Sequence, residues 1–135
     1  MSGLMGRVLV AGEAEGALLR LSQPISFWGG IHPKTGAIAD PRHPESGEVL
    51  AGRIVAMERV IGSCSGSSVL LELAFAGKAP AGLILTEPDA IATLGAVVAG
   101  AMDLPAIPVL LVSPGTLAAL PAQIRIGRDG CISAA

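Results

Sequence analysis

In the second half of the chain, short apolar runs alternate with stretches of helical character. "AGLILTE" (81–87) leads into "PDAIATLGAVVAGAM" (88–102), then "IPVLLVS" (107–113), then "PGTLAAL" (114–120). A strand that is apolar at every position has no solvent face, so it must be covered on both sides. Alternation with helices supplies that cover and places the strands parallel. Pro88 and Asp89 stand where a helix begins. "QIRIGRDGCIS" (123–133) then reads as two strands joined through "RDG", with Cys131 in an edge strand as a structural residue.

The first half has a different character. "RVLVAG" (7–12) is a short strand, "EAEG" (13–16) a turn, and "ALLRLSQPISF" (17–27) an extended segment. "EVLAGRIVAME" (48–58) returns as a strand. Between them runs a long loop, 29–47, rich in glycine and proline, that holds both histidines of the chain. Loops of that length inside a domain are usually functional or disordered. The expectation is one α/β domain over residues 1–135, with a β-rich first half and a parallel α/β second half.

Phe27, Trp28 and Phe75 are the only aromatic residues. The core must therefore be built from Val, Ile, Leu and Ala, which lets helices and sheet approach closely. Charged residues make up 15% of the chain, few for a lone domain, so a partner protein is expected to cover part of the surface. The net charge of −2 and the lack of a basic cluster exclude nucleic-acid binding. Residues 104–124 carry no charge, but Pro105, Pro108, Pro114 and Pro121 break the stretch, so no membrane span is expected. No apolar leader follows Arg7, and the cytoplasm is the expected compartment. Cys64 and Cys131 are too few and too far apart for a disulfide framework, a zinc site or a complete iron–sulfur ligand set.

"GSCSGSS" (62–68) precedes the helical run "VLLELAFAGKAP" (69–80), with Ser67 or Ser68 as the expected cap and Gly77 as the stop. Two readings stay open. The stretch is a capping loop, or it is a reactive site. Unpaired amides and the positive end of a helix favour an ionised group, so a hydroxyl or thiol there deprotonates more easily. "PISFWGG" (24–30) is either a pocket wall or a hydrophobic plug ending in a turn. His32, Asp40 and His43 have no metal-ligand spacing and read best as solvent-facing loop residues. A hydrolase using Ser63 or Cys64 would need His32 or His43 as its base.

Four stretches together, "PISFWGG", "GAIADPRHPESGEVLAGRIVAM", "GSCSGSSVLLEL" and "KAPAGLIL", resemble the aconitase X swivel domain over nearly the whole chain. The resemblance implies the swivelling β/β/α fold of the aconitase and isopropylmalate isomerase small domains. It implies a dehydratase small subunit that closes over a large subunit, its partner, which holds an iron–sulfur cluster. Gly62, Ser63 and Cys64 match the family's Gly-Ser-Ser, so Ser63 matches the catalytic base. Cys64, Ser65, Gly66 and Ser67, with Trp28, Gly29 and Gly30, would line the substrate site. No metal ligand is expected in this chain.

Two positions depart from the family pattern: Ile61 replaces an arginine, and Cys64 replaces the second serine. The implied substrates are cis-3-hydroxy-L-proline or mevalonate 5-phosphate, and Ile61 favours the first. The rival from another class is a non-catalytic swivel-type interaction module.

Overall fold

The computed structural model describes residues 4–62 and 65–135. Eight strands form one mixed sheet in the order β1-β8-β7-β3-β4-β5-β6-β2. β1 (Leu4–Met5) pairs with β8 (Cys131–Ala134), and β2 (Arg7–Val10) pairs with β6 (Val109–Leu111). Only Gly6 separates β1 from β2, so both edges of the sheet belong to one continuous segment. The sheet therefore curls towards a barrel. Gly6 N–H donates to the Gly130 carbonyl at 2.9 Å at that junction.

β4 (Ile54–Met57), β5 (Gly82–Leu85) and β6 run parallel, as the apolar runs of the second half predict for β5 and β6. Period-two alternation explains why they need no polar face. Ile54, Ala56, Ile84 and Leu110 point inwards with Ile124, Ile126 and Ile132 of β7 (Gln123–Ile126) and β8. Val55, Met57, Leu83, Leu85 and Val109 point outwards, under helices α2 (Ser65–Phe75) and α3 (Ala90–Ala101). Each fully buried Leu or Ile contributes roughly 1.5–3 kcal/mol. The scarcity of aromatics shows in the helix packing. A Cβ on Gly95 would lie 3.0 Å from Leu70 Cδ2 and 3.2 Å from the Ser67 carbonyl, so α2 and α3 meet almost backbone to backbone.

The helix ends follow local chemistry. Asp89 Oδ2 accepts from the Ala92 amide at 2.6 Å and caps α3. Ser113 caps the short α4 (Pro114–Ala118), with Pro114 in its first turn. α2 ends at Gly77, with φ of +71°. The Gly77 and Lys78 amides donate to the Ala74 and Leu73 carbonyls, closing the turn. Asp89→Ala is expected to cost about 1 kcal/mol, read as a lower urea midpoint at unchanged m.

Several expectations need correction. "EAEG" is not a turn: its last three residues open β3 (Ala14–Arg20). Glu15 faces outwards and pairs with Arg125 across β7, so its charge marks a strand face. β3 is antiparallel to β7 in its first half and parallel to β4 in its second. Of residues 48–58, only Ile54–Met57 is strand, because Gly52 turns the chain with φ of +69°. α2 starts at Ser65, earlier than a cap at Ser67 or Ser68 allows. Cys131 is not on an edge strand, since β1 covers β8.

The long loop is pinned, with Ile31, Ile38 and Leu50 buried and a bridge between Ile31 and Ile38. No helix among the described residues is long and apolar enough to cross a membrane.

Candidate functional site

β4 delivers the chain to the N-terminal end of α2, and the segment before the long loop meets it there. Ile25 forms a parallel bridge with Val60, and the Ile25 carbonyl accepts from the Ile61 amide at 3.0 Å. Next comes the tight turn α1 (Phe27–Gly30), whose inner residues are not helical. Trp28 (φ −83°, ψ 115°) and Gly29 (φ 84°, ψ −23°) have type II turn angles, which require glycine at the second position. Ser26 Oγ donates to the Trp28 carbonyl at 2.8 Å and tightens the turn. Phe27 is fully buried beneath it, while Trp28 is exposed.

This turn lies against the start of α2. Gly66 is buried there, and a Cβ on it would meet Ile91 Cγ2 at 3.0 Å and Phe27 Cβ at 3.5 Å. Gly62 has φ of +102°, and a Cβ on it would strike the Ser26 side chain. Gly62 is thus required by a contact distant in sequence, and Gly66 sits tightly against Ile91 and Phe27.

The expected site residues divide. Trp28, Gly29 and Gly30 do come together, around a cavity of about 230 Å³ that Ser26, Ile61, Asp40 and His43 also line. Ser65 and Gly66 stand in the first turn of α2. Ser67 is turned aside, its Oγ donating to the Ile91 carbonyl at 3.0 Å. Ser63 and Cys64 lie outside the described residues.

The long-loop residues also divide. His32 is exposed, as expected, and its Nδ1 accepts from the Lys34 amide at 3.3 Å. His43 departs from the solvent-facing reading: it is only 7% exposed. Its Nδ1 accepts from the Glu45 amide at 3.1 Å, and its Nε2 lies 3.0 Å from the Gln23 carbonyl. An amide only donates and a carbonyl only accepts, so Nε2 carries the proton. Neither ring nitrogen is left for a nucleophile, which removes His43 as the base of a hydrolase.

Asp40 Oδ1 accepts from the Arg42 amide at 2.9 Å, a local turn that sets the carboxylate in the cavity wall. Arg42 Nε lies 3.7 Å from the same oxygen, but its side chain is 92% exposed. Asp40 is the charged group lining the cavity, and among the described residues no Lys or Arg lines it. No group of three His, Cys, Asp or Glu residues is placed to hold a metal among the described residues.

Sequence reasoning passed over Ser26, although a hydroxyl two residues before the Trp28 carbonyl is a recognisable turn signal. It also read Ile61 only as a missing arginine, not as part of a wall.

Comparison with known proteins agrees with this architecture. The chain superposes on the crystal structure of Thermococcus kodakaraensis aconitase X (holo-form) with TM-score 0.86 and 30% identity, over 98% of each chain. It is 51% identical over 96 residues to a cis-3-hydroxy-L-proline dehydratase of Pseudomonas aeruginosa, covering 71% of this chain but 17% of that protein. It is 44% identical over 97 residues to a phosphomevalonate dehydratase small subunit of Pyrococcus furiosus, 72% of each chain. A family model described as the aconitase X swivel domain matches residues 3–128. With a family model matched over residues 3–128 and a superposition that covers nearly the whole chain, the chain belongs to the aconitase X swivel-domain family.

Proposed function

We propose that this chain, as one swivel domain, is the small subunit of a cytosolic aconitase X type dehydratase, and that its substrate is cis-3-hydroxy-L-proline. The observation that carries the substrate choice is Ile61. It lines the same cavity as Asp40, at a position where the resemblance implies an arginine. A phosphate dianion needs cationic partners, and a carboxylate beside it is repulsive. A cyclic amino acid brings a secondary ammonium, which suits that wall.

In this reading Ser63 takes the proton from C2, alpha to the carboxylate; hydroxide leaves C3 and takes a proton from solvent to become water, and Ser63 gives its proton back to solvent before the next turnover. The C2–H electron pair becomes the C2=C3 bond, and the enamine tautomerises to Δ1-pyrroline-2-carboxylate. A serine is a weak base, and what supports it is its sequence position two residues before Ser65, where α2 begins. The first-turn amides and the small residues Ser65 and Gly66 favour a substrate carboxylate or an alkoxide at that end. Lewis acidity at the leaving hydroxyl would come from an iron–sulfur cluster in the large subunit. The described residues of this chain offer no ligand set of their own for such a cluster.

The rival substrate is mevalonate 5-phosphate, favoured by the 44% identity to the Pyrococcus furiosus small subunit. Reconstitution with the large subunit, under conditions that keep its cluster intact, separates them. Turnover of cis-3-hydroxy-L-proline with none of the phosphate ester is the expected result. The reverse preference overturns the substrate assignment. Turnover of neither by a fully assembled pair favours the non-catalytic module.

A further inference from the structure

His43 is the one buried polar side chain among the described residues, and the mechanism above does not use it. Its surroundings give it a task. Nε2–H donates to the Gln23 carbonyl at 3.0 Å, and Nδ1 accepts from the Glu45 amide at 3.1 Å. Glu45 reinforces the same join, its carboxylate accepting from the Ser22 amide at 2.9 Å and from Ser22 Oγ at 3.0 Å. The long loop is thereby fastened to residues 22–23. Two residues further on, the Ile25 carbonyl holds the Ile61 amide, and Ser26 packs on Gly62. Two hydrogen bonds and the short chain segment 23–25 thus link the imidazole to Ile61, next to Gly62.

We propose that His43 is a positioning residue: by holding Gln23 it sets the Ser26–Trp28–Gly29 wall against the start of α2, and so fixes the cavity face that substrate meets. This inference rests on the dehydratase reading for its substrate. Its structural half stands on the hydrogen bonds alone, and the test separates the two.

In the reconstituted pair, His43→Ala is expected to lower kcat/KM about 10–100-fold, mostly through KM, since a misplaced wall weakens substrate alignment. His43→Gln keeps an N–H donor that can reach Gln23 and recovers most of the loss. His43→Asn keeps an acceptor for the Glu45 amide, lacks the reach to Gln23, and does not recover it. A residue that only stabilises the fold would leave kcat and KM of the assembled enzyme unchanged, and that result overturns the proposal. Equal values for the Gln and Ala variants overturn it too.

The second measurement is amide exchange on the isolated chain, which needs no substrate. His43→Ala should speed exchange at Ile61, whose amide is held by the Ile25 carbonyl, while Leu83 and Val112 stay protected. Uniform acceleration across the core, or none at the wall, overturns it. If the wild-type pair proves inactive, the dehydratase reading falls while exchange still decides whether His43 sets the wall.

Discussion

Ser63→Ala is expected to abolish turnover in the reconstituted enzyme while leaving assembly with the large subunit intact. Loss of a positioned base costs about 10²–10⁴-fold in rate, and this residue is assigned the one proton transfer at carbon. The loss should fall on kcat, with KM little changed, because binding is assigned to the Trp28–Gly30 wall and the first turn of α2. Steady-state kinetics with size-exclusion chromatography of the pair provides the check. A kcat within tenfold of wild type, in a complex of normal stoichiometry, would remove Ser63 from the mechanism and return the 62–68 stretch to a capping loop.

The second large effect concerns the residue just before it. Gly62 combines φ of +102° with a position pressed on the Ser26 side chain. Gly62→Ala therefore brings two penalties. A left-handed conformation costs an ordinary L-residue roughly 1–2 kcal/mol, and the new methyl group must displace Ser26. Ser26 cannot yield without losing its hydrogen bond to the Trp28 carbonyl. The expected outcome is a destabilisation of about 2 kcal/mol, read by urea unfolding, with a loss of kcat/KM of at least tenfold.

Ser26→Gly in the same chain removes the collision but not the backbone strain. The double variant should then be more stable than the sum of the two single changes, by about 0.5–3 kcal/mol of coupling. Strict additivity would mean that the contact between the two residues does not matter.

The elements differ in how far they could be read in advance. β5, α3, β6 and α4 follow from neighbouring residues: apolar runs too long for a solvent face, and Pro88 and Asp89 at a helix start. Those signals act over a few residues, so they survive whatever the rest of the chain does. "EAEG" failed because acidic residues mark turns and outward strand faces alike, and only the pairing of Glu15 with Arg125 chooses between them. His43 failed for a similar reason. A histidine among prolines looks solvated until Gln23 and Glu45 supply partners for both nitrogens.

The candidate site shows the same division. Trp28, Gly29 and Gly30 were singled out from their own stretch and do line the cavity. Asp40 and His43 were seen but judged to face solvent, because nothing local places the long loop beside residues 22–26.

By itself, then, the order of residues determined the parallel α/β half, the existence of a helix over the apolar run after Ser68, and the family motifs in their order. These rest on burial pattern and capping, which are short-range. Tertiary structure alone decided that residues 4–10 close the sheet on both edges, that Ser26 meets Gly62, and that His43 is buried. Each depends on segments far apart in the chain being brought into register by the shared core, and no local pattern carries that information.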